Sequence, residues 1–393
     1  MPMRADLTAR VYTADQSLSE NKMLTILACG DVGVKRADCH SMFAGCASTL
    51  RNADIGFAQL ESTISERGEA VPNAKLAMRA PPAMARAARE AGIAVMSFAG
   101  NHCLDFGYQA FRDTLMHAGA AGIRLCGAGE DLSAARQHVI VEHGTARVAF
   151  LAVSSILPEG YAAEPTKPGC APMRALTSYE QIEHDQPGTP ARCRTFAHRE
   201  DLAALVHGVR RAREQADLVL VSLHWGIHMI PTVLADYQTE VAHALIDAGA
   251  DAILGHHPHL LKGVEIYAGK PIFYSLGNFA IEQPHVWDAA ISGSESFRHL
   301  VELNPDWRAQ ERYRLPEITR RSGMAKLTWS PGAALRASFL PAWIDDDSVP
   351  QMLTHPDPRF GEVHSLLERS SRDAGIAVRI ELRDDELVLS AHA

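Results

Sequence analysis

Residues 251–259 read DAILGHHPH, a short apolar run that ends in three imidazoles within five positions. Ala252, Ile253 and Leu254, closed by Gly255, have the length and bounding of a buried strand. His256, His257 and His259 then stand at the carboxyl end of that strand, with Pro258 stiffening the last step. Histidine is a poor core residue. It is a good metal ligand when two rings can be aimed at one point. The chain holds 19 histidines, so a His-rich polar loop stays open as the alternative on this stretch alone.

Working outward, the same rhythm recurs. LTILACGD (24–31), IGFAQLE (55–61), AVMSFAGNH (94–102), VAFLAVS (148–154) and DLVLVSLHW (217–225) are apolar runs separated by Ala-rich helical stretches. AREAGIAVMSF, LMHAGAAGIRL and LIDAGADAILG each read as a helix closed near glycine and followed by a strand. The fold class is α/β, with helices covering buried sheets. VIVEHGTARVAFLAV reads as a hairpin, so the sheets are mixed. Residues 1–23 read as a polar leader, 24–346 as the main domain, and 347–393 as a C-terminal extension packed on it. Two segments, 158–199 and 282–322, lack periodicity and read as insertions of the kind that form lids or surface loops.

Hydrophobic residues make up 47% of the 393 and the formal net charge is −9. That balance argues against nucleic-acid binding, which needs a basic surface. No apolar run approaches the ~20 residues of a membrane span, and the first residues show no secretory h-region. Seven cysteines form no CxxC pair, which disfavours a disulfide framework or thiolate site and fits the cytoplasm. Oligomeric state is not legible.

The ends of the predicted strands carry the chemistry. They deliver Asp31, Glu61, Asn101 with His102, His224, and His257 with His259. Each has a bland reading: Asp31 as an N-cap, Glu61 as a solvated charge, Asn101 as a turn residue, His224 as a satisfied half-buried ring. Strand carboxyl ends are where α/β proteins build sites; if these strands share an edge, two carboxylates, an amide and four imidazoles converge there, a combination far more specific than GHHPH by itself.

GDVG, AQLESTIS, AGNHCLDFG, SLHWG and GHHPHLLKGVEIYAGKPIFYSLGNF resemble the poly-γ-glutamate capsule-biosynthesis (CapA-type) family, which looks like a branch of the calcineurin-like metallophosphoesterases. The likeness runs from about Leu24 to Asp346. It implies two facing mixed sheets flanked by helices and a two-metal site at one edge. Asp31 matches the first metal aspartate, Glu61 the bridging acid, Asn101 the amide ligand, His224 an isolated histidine ligand, and His257 and His259 the histidine pair. His102 matches a histidine that helps bind substrate or protonates the leaving group. Many such enzymes open with Asp-x-His, whereas this chain has Asp31-Val32-Gly33. One ligand is absent there, a place that His40 or His256 could fill.

Oxygen and imidazole donors suit Mn, Fe or Zn. The reaction implied is hydrolysis of an anionic phosphoester, or an amide or ester, by a metal-activated water. Arg79, Lys35, Arg36, Tyr274 and Asn278 are candidate substrate contacts. Asp105 reads as a turn former and helix cap. The alternative is a non-hydrolytic or accessory component of poly-γ-glutamate synthesis or export.

Overall fold

The computed structural model describes residues 23–74, 76–183, 185, 188–283, 292–307 and 312–392. The leader read over 1–23 lies outside these except for Met23, as do parts of both insertions.

Two mixed sheets organise the chain. The first is built from β1 (Leu24–Gly33), β2 (Ile55–Leu60), β3 (Ile93–Ser97) and β4 (Arg124–Cys126). The second contains β5 (Val139–His143), β6 (Ala146–Ser154), β7 (Leu218–His224), β8 (Ala252–His256), β9 (Val264–Tyr267) and β10 (Lys270–Phe273). The chain then returns to the first sheet with β11 (Asn278–Ile281), β12 (Arg321–Trp329), β13 (Arg336–Ile344), β14 (Pro350–Met352), β15 (Val378–Arg383) and β16 (Glu386–Ala391). Strand order in the first sheet is β15-β16-β13-β12-β1-β2-β3-β4, with β11 on β1 and β14 on β13. In the second it is β9-β10-β8-β7-β6-β5. The run β1 to β4 is parallel, as is β6-β7-β8-β10, and the remaining pairs are antiparallel apart from β11 on β1.

Alternation along β6 shows why the strands read as unbroken apolar runs. Val148, Phe150 and Ala152 face the core shared by both sheets. Ala149, Leu151 and Val153 face the opposite layer, under residues of two helices, α3 (Arg199–Arg213) and α4 (Asp236–Asp247). Both faces are covered, so both must be apolar. Phe57 of β2 stacks on Phe150 at 5.6 Å across the gap between sheets, a contact worth about 1 kcal/mol beyond its buried area. On the first sheet, α1 (Ala83–Ala91) and α2 (Gly107–Ala120) add to the same core. The expected hairpin is β5–β6, paired from Val139↔Phe150 to His143↔Ala146.

The C-terminal segment does more than pack on the domain. It supplies α6 (Pro358–Asp373) and three strands of the first sheet. The 158–199 segment contains an antiparallel hairpin, Ala175–Glu180 with Arg192–Ala197. Most of its residues are exposed, so no apolar alternation marks it in the sequence. The 282–322 segment contains α5 (Glu295–Leu303). Among the described residues no helix is long and apolar enough to cross a membrane.

Two glycines set how closely the site-bearing strands approach. A Cβ on Gly30 would stand 2.0 Å from the Gly277 carbonyl oxygen. That approach lets Asp31 N donate to Gly277 O at 2.9 Å, and aligns Asp31 with Asn278 of β11. A Cβ on Gly255 would stand 2.2 Å from the Tyr274 carbonyl oxygen. The obstacle in each case is backbone, which cannot swing aside. Gly255→Ala is therefore expected to lower stability by about 1–3 kcal/mol, read as the shift in the urea midpoint.

Candidate metal centre

The carboxyl ends of β1, β2, β3, β7 and β8 meet at one edge, so both sheets contribute to one cluster. Asp31 lies on β1 and Glu61 follows β2, its N–H bonded to Val32 O at 2.8 Å. Asn101 and His102 follow β3. His224 ends β7 in register with His256, which ends β8. His257 and His259 follow with φ of 94° and 58°. Positive φ in residues other than glycine costs about 1–3 kcal/mol each and gathers at functional sites. Here the two twists turn both rings into the cluster.

Asp31, Glu61, His224 and His256 are at most 1% exposed. One ligand atom from each of Asp31, Glu61 and His224 lies within 4.8 Å of the other two. Glu61 Oε2 is 3.6 Å from His224 Nδ1, and Asp31 Oδ1 is 3.5 Å from His256 Nδ1. Both oxygens of Asp31, both of Glu61, and the Nδ1 atoms of His224, His256 and His257 are buried without a hydrogen-bond partner. Unmatched polar atoms at this density are unusual in a native interior.

The electrostatics are strained in the same sense. Burial, the Asp31 charge and the Asp105 charge push Glu61 well up. Burial would also raise Asp31, but the facing imidazoles of His256 and His259 outweigh it and hold that carboxyl below its usual range. Burial holds His224 and His257 well below the usual imidazole value, so both rings are neutral and keep a lone pair. A divalent cation answers all of these at once. It neutralises the carboxylates and occupies the orphaned lone pairs, with the O/N donors that Mn, Fe and Zn accept. The residues present fit such an ion.

Neighbours fix which nitrogen is free. His224 Nε2 donates to Asn101 Oδ1 at 2.7 Å, which leaves Nδ1 facing Glu61. His259 Nδ1 donates to Asn278 Oδ1 at 2.7 Å and lies 3.1 Å from Asp31 Oδ2, which leaves Nε2. Asn101, expected as a ligand, thus has its amide oxygen on His224, a contact that orients that ring. Asn278 plays the same part for His259.

His102 Nδ1 donates to Asp105 Oδ2 at 2.6 Å, and its Nε2 is 3.8 Å from Glu61 Oε1. Asp105 does not cap a helix. The N-cap of α2 is Phe106, without a side-chain bond. Asp105 instead accepts from His102, Met78 N at 2.7 Å and Tyr161 Oη at 3.0 Å. The His-x-x-Asp spacing is the available signal. His228 escapes the sequence reading altogether. Its ring is 5.3 Å from that of His257 and 5.1 Å from that of His259. Burial and the nearby His259 and His102 push it down to about 3. Its signal is the His224-x-x-x-His228 spacing.

The other candidates lie off the cluster. Tyr274 Oη donates to Glu265 Oε2 at 2.7 Å and its ring stacks on Trp225. The Arg79 guanidinium covers the Phe106 ring at 3.6 Å and donates to the carbonyls of Arg67 and Gly68. Arg36 Nε donates to Glu282 at 2.9 Å, and Lys35 N donates to the same carboxylate. His40 pairs with Glu90 at 2.8 Å on the exposed surface, so it is not the extra ligand. His256 is the ring beside Asp31.

A cleft of about 910 Å³ opens onto the cluster, lined at that end by Glu61, Asn101, His102, His228, His257 and His259.

The family described as bacterial capsule synthesis protein PGA_cap matches residues 14–283. A probable polyglutamine synthesis accessory protein of Mycobacterium tuberculosis is 35% identical over 254 residues, 64% of this chain and 60% of that one. The capsule biosynthesis protein CapA of Bacillus anthracis is 28% identical over 275 residues, 67% of this chain and 61% of that one. The chain thus spans about 60% of the length of these relatives. Among solved structures, a hypothetical protein from Thermus thermophilus overlaps with a TM-score of 0.44 at 17% identity, covering 81% of this chain and 99% of that one. The calcineurin-like phosphoesterase YfkN from Bacillus subtilis overlaps at 0.39 and 12% identity, covering 90% and 97%. Overlaps this low add no weight to the fold, which rests on its own sheet topology. The family match covers more than half of the sequence, and the chain belongs to the bacterial capsule synthesis protein PGA_cap family.

Proposed function

We propose that this chain is a metal-dependent hydrolase acting on an anionic phosphoester, with Asp31, Glu61 and His224 as the nucleus of the metal site and His257 and His259 completing it. The observation that carries this reading is the pair of buried carboxylates whose four oxygens lack donors, set against neutral imidazole nitrogens that also lack partners. Burying such charge uncompensated costs several kcal/mol per ion.

A divalent ion bound there supplies Lewis acidity and a water acidic enough to ionise near neutral pH. The chain's residues do the rest. Asn101 and Asn278 hold the rings of His224 and His259 in one tautomer. Asp105 keeps the His102 proton on Nδ1 and turns the Nε2 edge toward the cleft. Protonated, His102 stabilises charge and gives its Nε2 proton to the leaving oxygen. An amide or ester carbonyl is open to the same machinery and belongs in the test panel.

Purified protein is expected to carry about one to two equivalents of Mn, Fe or Zn, as one- or two-ion hydrolytic sites do. Chelation should abolish hydrolysis of aryl phosphomonoesters or phosphodiesters, and added metal should restore it. Metal-replete protein that is inert on phosphoesters, esters and γ-glutamyl amides would overturn the hydrolase. It would favour the accessory role that the mycobacterial relative's name describes.

A further inference from the structure

We infer that the cleft takes a phosphoester with one small anionic end and an apolar aryl or alkyl body, and that it rejects a polyanionic chain. This rests on the metal-centre reading above and narrows its substrate. The two ends of the cleft differ in kind. One end is the imidazole and carboxylate cluster. The other is walled by Met78, Ile281, Phe297, Leu300, Trp307 and Leu315.

That wall is a structure in its own right. Met78, Met229, Ile281 and Leu315 form a small core cluster separate from the main ones, with Leu300 packed against it. α5 brings Leu300 over it, and the Phe297 ring of the same helix lies 5.2 Å from that of Trp307. No residue of α5 is itself buried. A helix that presents apolar side chains to an open cleft leaves a surface that an apolar ligand body would cover.

Charge points the same way. Among the described residues, no lysine or arginine lines this cleft. Three described arginines on the surrounding segments are committed elsewhere. Arg36 is held by Glu282, Arg320 by Glu317 and Asp346, and Arg79 by backbone carbonyls. One anionic group can be met by cationic metal at the cluster. A second and third carboxylate, spaced along a polymer, would lie on the apolar wall without a partner, and an unpaired charge is costly to desolvate. An apolar body gains about 25 cal/mol per Å² buried on the same wall.

The test is calorimetric titration of the full-length, metal-loaded protein with non-hydrolysable phosphonates. Benzylphosphonate is expected to bind at least tenfold more tightly than methylphosphonate, and penta-γ-glutamate more weakly than either. Leu300→Gln, at a half-buried position whose loss should leave the fold intact, should cut the benzyl advantage to threefold or less and leave methylphosphonate unchanged. Equal affinities for the two phosphonates, binding of neither, or tightest binding of the γ-glutamate oligomer would overturn the inference. Turnover is scored separately. Hydrolysis without an apolar preference leaves the hydrolase standing and sinks this inference. An apolar preference in binding without any turnover does the reverse.

Discussion

Asp31→Asn protein is expected to leave purification with less than about a tenth of the wild-type metal and to lose hydrolysis by at least about a thousandfold. Asparagine keeps the shape and nearly the volume of the side chain, so packing at this fully buried position is preserved. What it removes is charge. Deleting one partner of a buried charge constellation costs about 3–5 kcal/mol, and each 1.4 kcal/mol is a decade of affinity. Two to four decades would therefore be lost from metal binding. The metal-free proteins supply a control. Both Asp31 oxygens lack donors, so in metal-free protein the variant should lose only the attraction of the His256 and His259 rings, a small drop in melting temperature beside the loss of metal. A variant that keeps its metal, or whose metal-free form collapses, would mean that Asp31 serves the fold through His256 and His259 instead of holding an ion.

The second large effect is at His102. His102→Gln should retain the wild-type metal content and lose about 10²–10⁴ in kcat, the range of a general acid. The loss should depend on the leaving group. An alkyl phosphoester, whose alkoxide needs a proton, should show the full effect. A p-nitrophenyl ester, whose phenolate leaves unaided, should show little. A structural role would depress both alike. Asp105 is expected to serve the reaction through His102, which it holds at 2.6 Å, so Asp105→Asn should cost about 10–100-fold. The double variant should be no worse than His102→Gln alone, because the two residues form one unit. Additive losses would show that Asp105 matters mainly through Met78 and Tyr161.

These expectations depend on features of unequal legibility in the sequence. The cluster is readable because each candidate ligand follows an apolar run covered on both faces, and such strands end where their site residues begin. LTILACGD, IGFAQLE, DLVLVSLHW and DAILGHH bring Asp31, Glu61, His224 and the rings after β8 to one edge. Side-chain direction is harder. Tyr274 follows β10, a place that suggests it faces the site, yet Phe273 faces the inner core and Tyr274 the outer layer. A one-residue step exchanges faces in extended chain, and no periodicity in so short a run fixes the phase. Arg79, Lys35 and Arg36 carry charge without context. Their partners, the carbonyls of residues 66–68 and the Glu282 carboxylate, are set by tertiary contacts that spacing does not show. Asp105 and His228 are visible only as spacings, His102-x-x-Asp105 and His224-x-x-x-His228. Either spacing could equally belong to a turn. The cleft wall is hidden for a different reason. Its apolar residues come from β11, the segment around Met78, and α5 with its flanks, none of which is periodic enough to announce a shared surface.

Anomalous diffraction from crystals of the native protein, collected on both sides of the Mn, Fe and Zn edges, tests the central claim most directly. The account predicts at least one transition-metal peak enclosed by Asp31, Glu61 and His224, with His257 and His259 beside it. Crystals grown with these metals present that show no peak there, and the two carboxylates instead satisfied by protons, water or each other, would contradict it.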